Sequence, residues 1–180
     1  MDNVENITNH PWYCLRLFTL KPYEIASFFN QEGVKTFVPE HYEDYEDSNG
    51  HVKHALKPVV KNLIFVEIPD DENKLHELVK TDRYKMALMK GCRADDKPAM
   101  IPANQMKEFL LMCNPELSSI IVSEDANVML KNGDPVEVHH GPLKGLTGEL
   151  VRQTKKYYLL KRVPGMGVLL KVSKWCCKKI

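Results

Sequence analysis

Residues 59–68, VVKNLIFVEI, place the tightest limit on what this chain can become. The run is nearly continuous in apolar β-formers, the composition of a central strand covered on both faces. Its neighbours in sequence have to supply that cover. Residues 12–18 (WYCLRLF) are short and rich in aromatic and apolar residues, which predicts a second strand. Pro22 suits the first turn of a helix, and Ile25, Phe28 and Phe29 follow at i, i+3, i+4 spacing. Gly33 stands where a helix C-cap glycine belongs, so residues 22–32 read as an amphipathic helix with its apolar stripe turned inward. Residues 35–38 (KTFV) give a further strand, ended by Pro39.

Residues 40–57 are polar and contain Asn49-Gly50. Asn-Gly is a strong signal for a type I′ hairpin turn, in which both central residues need positive φ. Few apolar residues flank it, so the hairpin is expected to project from the body. A second helix opens at Pro69-Asp70, with Leu75, Leu78 and Val79 as its stripe and Asp70, Asp71 and Glu72 favouring its N-terminal dipole. A short strand is expected over residues 86–89. A third helix follows Pro102, with Met106, Phe109, Leu110 and Cys113 on one face, and Asn114-Pro115 ends it. Two strand–helix–strand crossovers over residues 10–115 predict an α+β sandwich of the ferredoxin-like kind.

Residues 116–132 lose this period; Ile120, Ile121 and Val122 could pack locally, but the stretch reads as a linker. The pattern then changes. Within residues 133–180, PVEVHH, LTGELVRQ, KYYLLKRV and GVLLKV are short strand candidates separated by Gly141-Pro142, Lys155-Lys156 and Pro164-Gly165. Strands so closely spaced predict a small all-β barrel, whose closure removes exposed edges.

Charge and cysteine content narrow the function. A net charge of +1 excludes a polybasic coat, so any nucleic-acid contact has to come from a local patch or a partner. Residues 1–11 carry acidic residues where a secretory leader would be basic, and no run of about 18 apolar residues occurs. The five cysteines (14, 92, 113, 176 and 177) include no CxxC spacing. That pattern fits free thiols in a reducing cytoplasm and predicts no metal site. His51 and His54 read as solvated rather than metal-binding. There is no nucleophile–base pair and no phosphate-binding glycine loop, so no enzyme and no cofactor are expected.

The sharpest local signal is GDPVEVHHGPLKGLTGELV, residues 133–151: a strand, a Gly-Pro turn, then Gly145 and Gly148 entering a second strand. This run resembles a KOW motif. WYCLRLF, its helix and KTFVPE resemble the start of an NGN domain, and LKPVVKNLIFVEI resembles that domain's central strand. Together, over about residues 11–180, the chain resembles bacterial NusG-type transcription elongation factors: an NGN domain at 10–115, a linker at 116–132 and a KOW domain at 133–180. Val163, Pro164, Gly165 and Gly167 further resemble the UpxY-like specialised paralogues, antiterminators of capsular polysaccharide operons.

The resemblance implies a monomeric, cytoplasmic factor that binds RNA polymerase at the clamp helices of the largest subunit and promotes processive transcription. By position, the docking patch is Arg16, Val60, Leu63 and Phe65, with Val60 and Leu63 where the family prefers Phe and Tyr. Strand alternation allows only one parity of this run to meet a partner. Lys21, Lys53, His54 and Lys57 are candidates for contact with non-template DNA. Val163, Pro164, Met166 and Val168 are the candidate partner loop of the KOW barrel, where the family recruits ribosomal protein S10 or Rho. The alternative is a KOW-containing RNA- or ribosome-binding protein, favoured by Lys144, Lys155, Lys156, Lys161, Lys171, Lys174, Lys178 and Lys179.

Overall fold

A computed structural model describes residues 9–91, 97–117, 119–123 (backbone only) and 133–180. The chain forms two compact units, His10–Ile101 and Pro102–Ile180.

In the first unit, β1 (Trp12–Leu17) leads into α1 (Pro22–Gln31), which begins on Pro22 as expected. The strand β2 (Thr36–Phe37) follows, then the hairpin β3 (Glu40–Glu46) and β4 (Val52–Pro58), then β5 (Leu63–Glu67). Helix α2 (Glu72–Val79), β6 (Met86–Leu88) and β7 (Met100–Ile101) complete it. Sheet order is β2-β5-β1-β6, antiparallel throughout, with β7 also on β1. Counting the four main strands in turn gives 2-3-1-4, the order of a ferredoxin-like sandwich. The long apolar run is indeed central, and all five residues of β5 are buried.

One face of this sheet holds the main core. Tyr13, Leu15 and Leu17 of β1 and Ile64 and Val66 of β5 meet Ile25 and Phe29 of α1 and Leu75 of α2. Each such side chain, fully buried, is worth about 1.5–3 kcal/mol. Polar ties fix the helices. The Tyr13 hydroxyl donates to Glu72 Oε1 at 2.7 Å, and the Tyr84 hydroxyl to Glu24 Oε1 at 2.9 Å. Burial, then the carboxylate beside it, pushes the Tyr13 hydroxyl up to about 12. Asp71 caps α2 by accepting from Asn73 N, and Lys74 Nζ reaches Glu32 O at the end of α1.

The β3–β4 hairpin stands apart as its own two-stranded sheet, but its turn differs from the expected one. Only Gly50 takes positive φ, at +79°. Asp47 N donates to His51 O, which leaves a three-residue loop, and the Asp47 carboxylate accepts from Asn49 N and His51 N. A side-chain acceptor at Asp47 thus replaces the two-residue turn with an Asx-stabilised one.

The second unit opens with α3 (Ala103–Met112), carrying buried Met106, Phe109 and Met112. Leu110, expected on the stripe, is half-buried and Met112 takes the deeper place. The sheet that follows comprises β8 (Ser119–Ser123), β9 (Asp134–Val138), β10 (Thr147–Gln153), β11 (Lys156–Val163), β12 (Met166–Val172) and β13 (Cys177–Lys179). Its order is β13-β9-β10-β11-β12-β8. The last strand returns to the first of the meander, with Cys177 opposite Val138, after a 3-10 turn at Lys174–Cys176.

Two further features depart from the sequence reading. The expected linker contains β8, whose backbone pairs with β12 from Ser119↔Leu170 to Ser123↔Met166. Helix α3, expected with the first domain, clusters with the second unit. There Glu108 Oε2 accepts from Thr147 N at 3.3 Å and Thr147 Oγ1 at 2.9 Å, and pairs with Lys161 Nζ. Both departures depend on distant partners that local periodicity does not contain. The glycines of the 133–151 motif serve different ends. Gly145 adopts φ +92°, whereas a Cβ at Gly148 would stand 2.7 Å from Leu160 O on β11.

Candidate functional site

The expected docking residues share one sheet face but not one environment. In the β1–β5 register Cys14 faces Phe65 and Arg16 faces Leu63, so Trp12, Cys14, Arg16, Leu63 and Phe65 lie on the face opposite the α1–α2 core. Val60 is not on the strand. It sits in the bend before Lys61-Asn62, and β5 begins only at Leu63.

Their burial corrects the expectation of an open apolar patch. Leu63 is 5% exposed and Phe65 fully buried, with the Phe37 ring 6.3 Å from that of Phe65. Arg16 is exposed and Val60 half-buried. β5 is paired along both edges, by β1 and β2, and Phe37, opposite Phe65 in the register, lies against it.

The open apolar surface lies at the end of β1 instead. Phe18 is 65% exposed and Leu20 71%, with Tyr23 beside them at the start of α1. Leu17 N donates to Asn62 O, which brings this end to the β4–β5 connection, and Phe18 N donates to Lys85 O, just before β6 on the other side. The base of the hairpin joins there too, through Val59 N to Pro39 O and the Tyr23 hydroxyl to Glu40 Oε1 at 2.6 Å. Arg16, Phe18, Leu20 and Val60 therefore belong to one end of the sheet. Sequence reasoning missed Phe18 and Leu20. The available signal was Phe18 closing the strand run and Leu20 after it, two large apolar residues just before Pro22.

The four basic candidates do not form a free patch. Lys21 pairs with Glu24 at 3.1 Å, Lys53 with Asp47 at 3.0 Å and Lys57 with Glu43 at 3.1 Å, while His54 contacts Asp44. Lys53 and two backbone donors hold the Asp47 carboxyl below its ordinary range. Lys21, followed by the Tyr84 hydroxyl, does the same for Glu24. Such exposed pairs are individually weak. Residues 40–58 nevertheless hold five carboxylates against two lysines, a net −3 with neutral histidines, and an acidic hairpin repels a phosphate backbone.

The candidate partner loop of the second unit is likewise corrected. Val163, Met166 and Val168 are buried, and only Pro164 is half-buried. The two-residue turn Pro164-Gly165 makes Val163 and Met166 a cross-strand pair, and β12 is covered on both edges by β11 and β8. These residues are core. The thiols of Cys14 and Cys113 are buried, and burial raises the Cys113 thiol far above its usual range. Cys92 lies outside the described residues. Among the described residues no cluster of three or more His, Cys, Asp or Glu side chains is arranged to hold a metal ion, and no helix is long and apolar enough to cross a membrane.

An antiparallel 2-3-1-4 sheet with helices on one face and an open apolar end places the first unit in the class of ferredoxin-like modules. Residues 10–110, more than half of the chain, match the NusG family, described as transcription termination factor nusG, and the chain belongs to that family. Its members are non-enzymatic transcription factors. No curated protein matches. A similar solved structure is the crystal structure of the MjSpt4:Spt5 complex, conformation B. It is 17% identical, with 94% of this chain and 96% of that chain covered and a TM-score of 0.28.

Proposed function

We propose that this protein is an elongation and antitermination factor that binds RNA polymerase through the open end of its first sheet. The observation that carries the reading is a coincidence of limits. The NusG family match ends within α3, so it spans the whole ferredoxin-like unit, and that unit displays an apolar cluster with a cation at its edge. Phe18 and Leu20 supply exposed apolar area beside Arg16 and half-buried Val60, and a rigid sheet end of this kind suits the tip of a helical hairpin such as the clamp helices. Docking through Leu63 and Phe65 would require their uncovering first. The second unit is read as the KOW barrel, supported by its meander, the 3-10 turn and the return of β13 to β9. The likeness to capsule-operon antiterminators rests on residues 163–167 and supports a specialised rather than a general role.

The test is capture of purified bacterial RNA polymerase core by the full chain. Leu63→Glu and Phe65→Glu are unsuitable, because a charge in a buried position unfolds the sheet. Phe18→Glu with Leu20→Glu changes only exposed side chains, and at least tenfold weaker capture is expected with an unchanged melting temperature. Absence of capture by the unaltered chain refutes the proposal, and undiminished capture by the double variant moves the docking surface elsewhere.

A further inference from the structure

Residues 133–180 hold ten Lys and Arg against three Asp and Glu, a net +7 in 48 residues of a chain whose total is +1. The rest of the protein is therefore net acidic, and its cationic character is concentrated in the small β unit. Within that unit the charge gathers around aromatic rings. Trp175, in the 3-10 turn, is 74% exposed, an unusual position for the largest apolar side chain. It lines a groove of about 660 Å³ with Lys156, Tyr157, Lys171, Val172 and Lys174. Register places Arg152, Tyr157 and Val172 in one row across β10, β11 and β12. The Arg152 guanidinium and the Lys174 ammonium each stand 5.7 Å from the centre of the Tyr157 ring. The His140 ring lies 5.6 Å from that of Trp175, tilted by 32°.

We propose that this groove binds single-stranded nucleic acid, with Trp175 and Tyr157 as stacking platforms and Arg152, Lys156, Lys171 and Lys174 meeting the phosphates. Each class of contact that a single strand requires is present. An exposed indole offers a π-face to an unpaired base, and cations a few ångströms away meet the backbone that carries that base. A duplex hides its base faces and cannot use the indole. An apolar protein partner would use Trp175 but would leave four cations to be desolvated without acceptors. The proposal does not depend on polymerase binding, since it concerns a different unit and a different chemistry.

Fluorescence anisotropy of labelled 12-mers tests it, with oligouridine RNA, oligothymidine DNA and a mixed-sequence DNA duplex titrated against the full chain. Binding of either single strand ahead of the duplex is expected, and a preference between the two tells which strand the groove serves. Trp175→Ala should weaken binding ~5- to 150-fold, the range for loss of one stacking aromatic. With about three phosphates neutralised, raising salt from about 50 to about 200 mM should weaken it roughly 20-fold. Lys174→Glu should weaken binding far more than Lys144→Glu, which changes the net charge equally but lies outside the groove. All three substitutions are at surface positions, and melting curves check that each variant is folded. No binding at the lower salt overturns the proposal. Equal binding of single strand and duplex, untouched by Trp175→Ala, also overturns it and leaves only a general attraction to a +7 surface.

Discussion

Removing the Glu108 carboxylate should be more harmful than removing the Lys161 ammonium that it pairs with. Lys161 is only 9% exposed, yet it carries an ammonium. Its partners are Glu108 Oε2, Thr147 Oγ1 at 3.2 Å and Thr147 O at 3.3 Å. Glu108→Ala leaves that charge with two neutral acceptors in a poorly solvated site. Breaking a fully buried pair costs about 3–5 kcal/mol. The Glu108 side chain is 24% exposed, so water can replace part of what is lost, and the expected cost is about 2–3 kcal/mol. Lys161→Met removes the ammonium but fills its volume, while Glu108 keeps the Thr147 N and Oγ1 donors. Its cost should be smaller, about 1 kcal/mol. The double variant should then be less damaged than the sum of the two, by at least about 1 kcal/mol of coupling. Urea unfolding followed by circular dichroism supplies the cycle, and exchange of the Thr147 amide reports locally, since Glu108→Ala removes its acceptor. The penalty should persist in about 1 M salt, because pairs shielded from solvent are weakly screened. A Glu108→Ala cost under about 0.5 kcal/mol, or additivity within about 0.3 kcal/mol, would refute the reasoning.

Glu67 is 8% exposed with Oε1 unpartnered, and burial raises its carboxyl pKa against smaller opposing effects of Lys35 and His10. A raised folded-state pKa means that the folded form is favoured below the ordinary carboxylate range and loses stability as pH rises through the shifted value. Glu67→Gln should therefore raise the melting temperature at pH 7 and leave it unchanged below about pH 4, and a lower value at pH 7 would contradict this. The β10–β11 turn places Thr154 at φ +46° and Lys155 at +65°, a left-handed pair that β-branched Thr resists. Thr154→Asn with Lys155→Gly should stabilise by about 1–2 kcal/mol, seen as a melting temperature roughly 2–8 °C higher, and no gain would mean that the turn is not strained.

Much of the first unit was legible because its signals are local. Pro22 and the Ile25/Phe29 stripe define α1, Leu75 and the acid-rich start mark α2 (which opens at Glu72, capped by Asp71, and not at Pro69-Asp70), and the apolar run at 59–68 announces a central strand wherever its partners come from. The candidate sites were less legible. Leu63, Phe65, Val163, Met166 and Val168 are apolar residues on strands, and sequence cannot say whether such a residue faces solvent or a second layer. The basic residues of the hairpin looked available until the register set His54 and Lys57 near acids of the opposite strand and Lys53 near Asp47 of the turn.

Sequence alone determined the kinds of element, their order and the two differently patterned halves, because helix and strand periods, caps and turn residues act within a few positions. Tertiary structure decided that β8 joins the second sheet, that β13 returns to β9, that the expected docking residues are covered while Phe18 and Leu20 stay open, and that Arg152, Tyr157, Lys174 and Trp175 converge. These outcomes turn on which distant segments pair and what each side chain then meets. That information belongs to long-range packing and is not written in any short stretch of the chain.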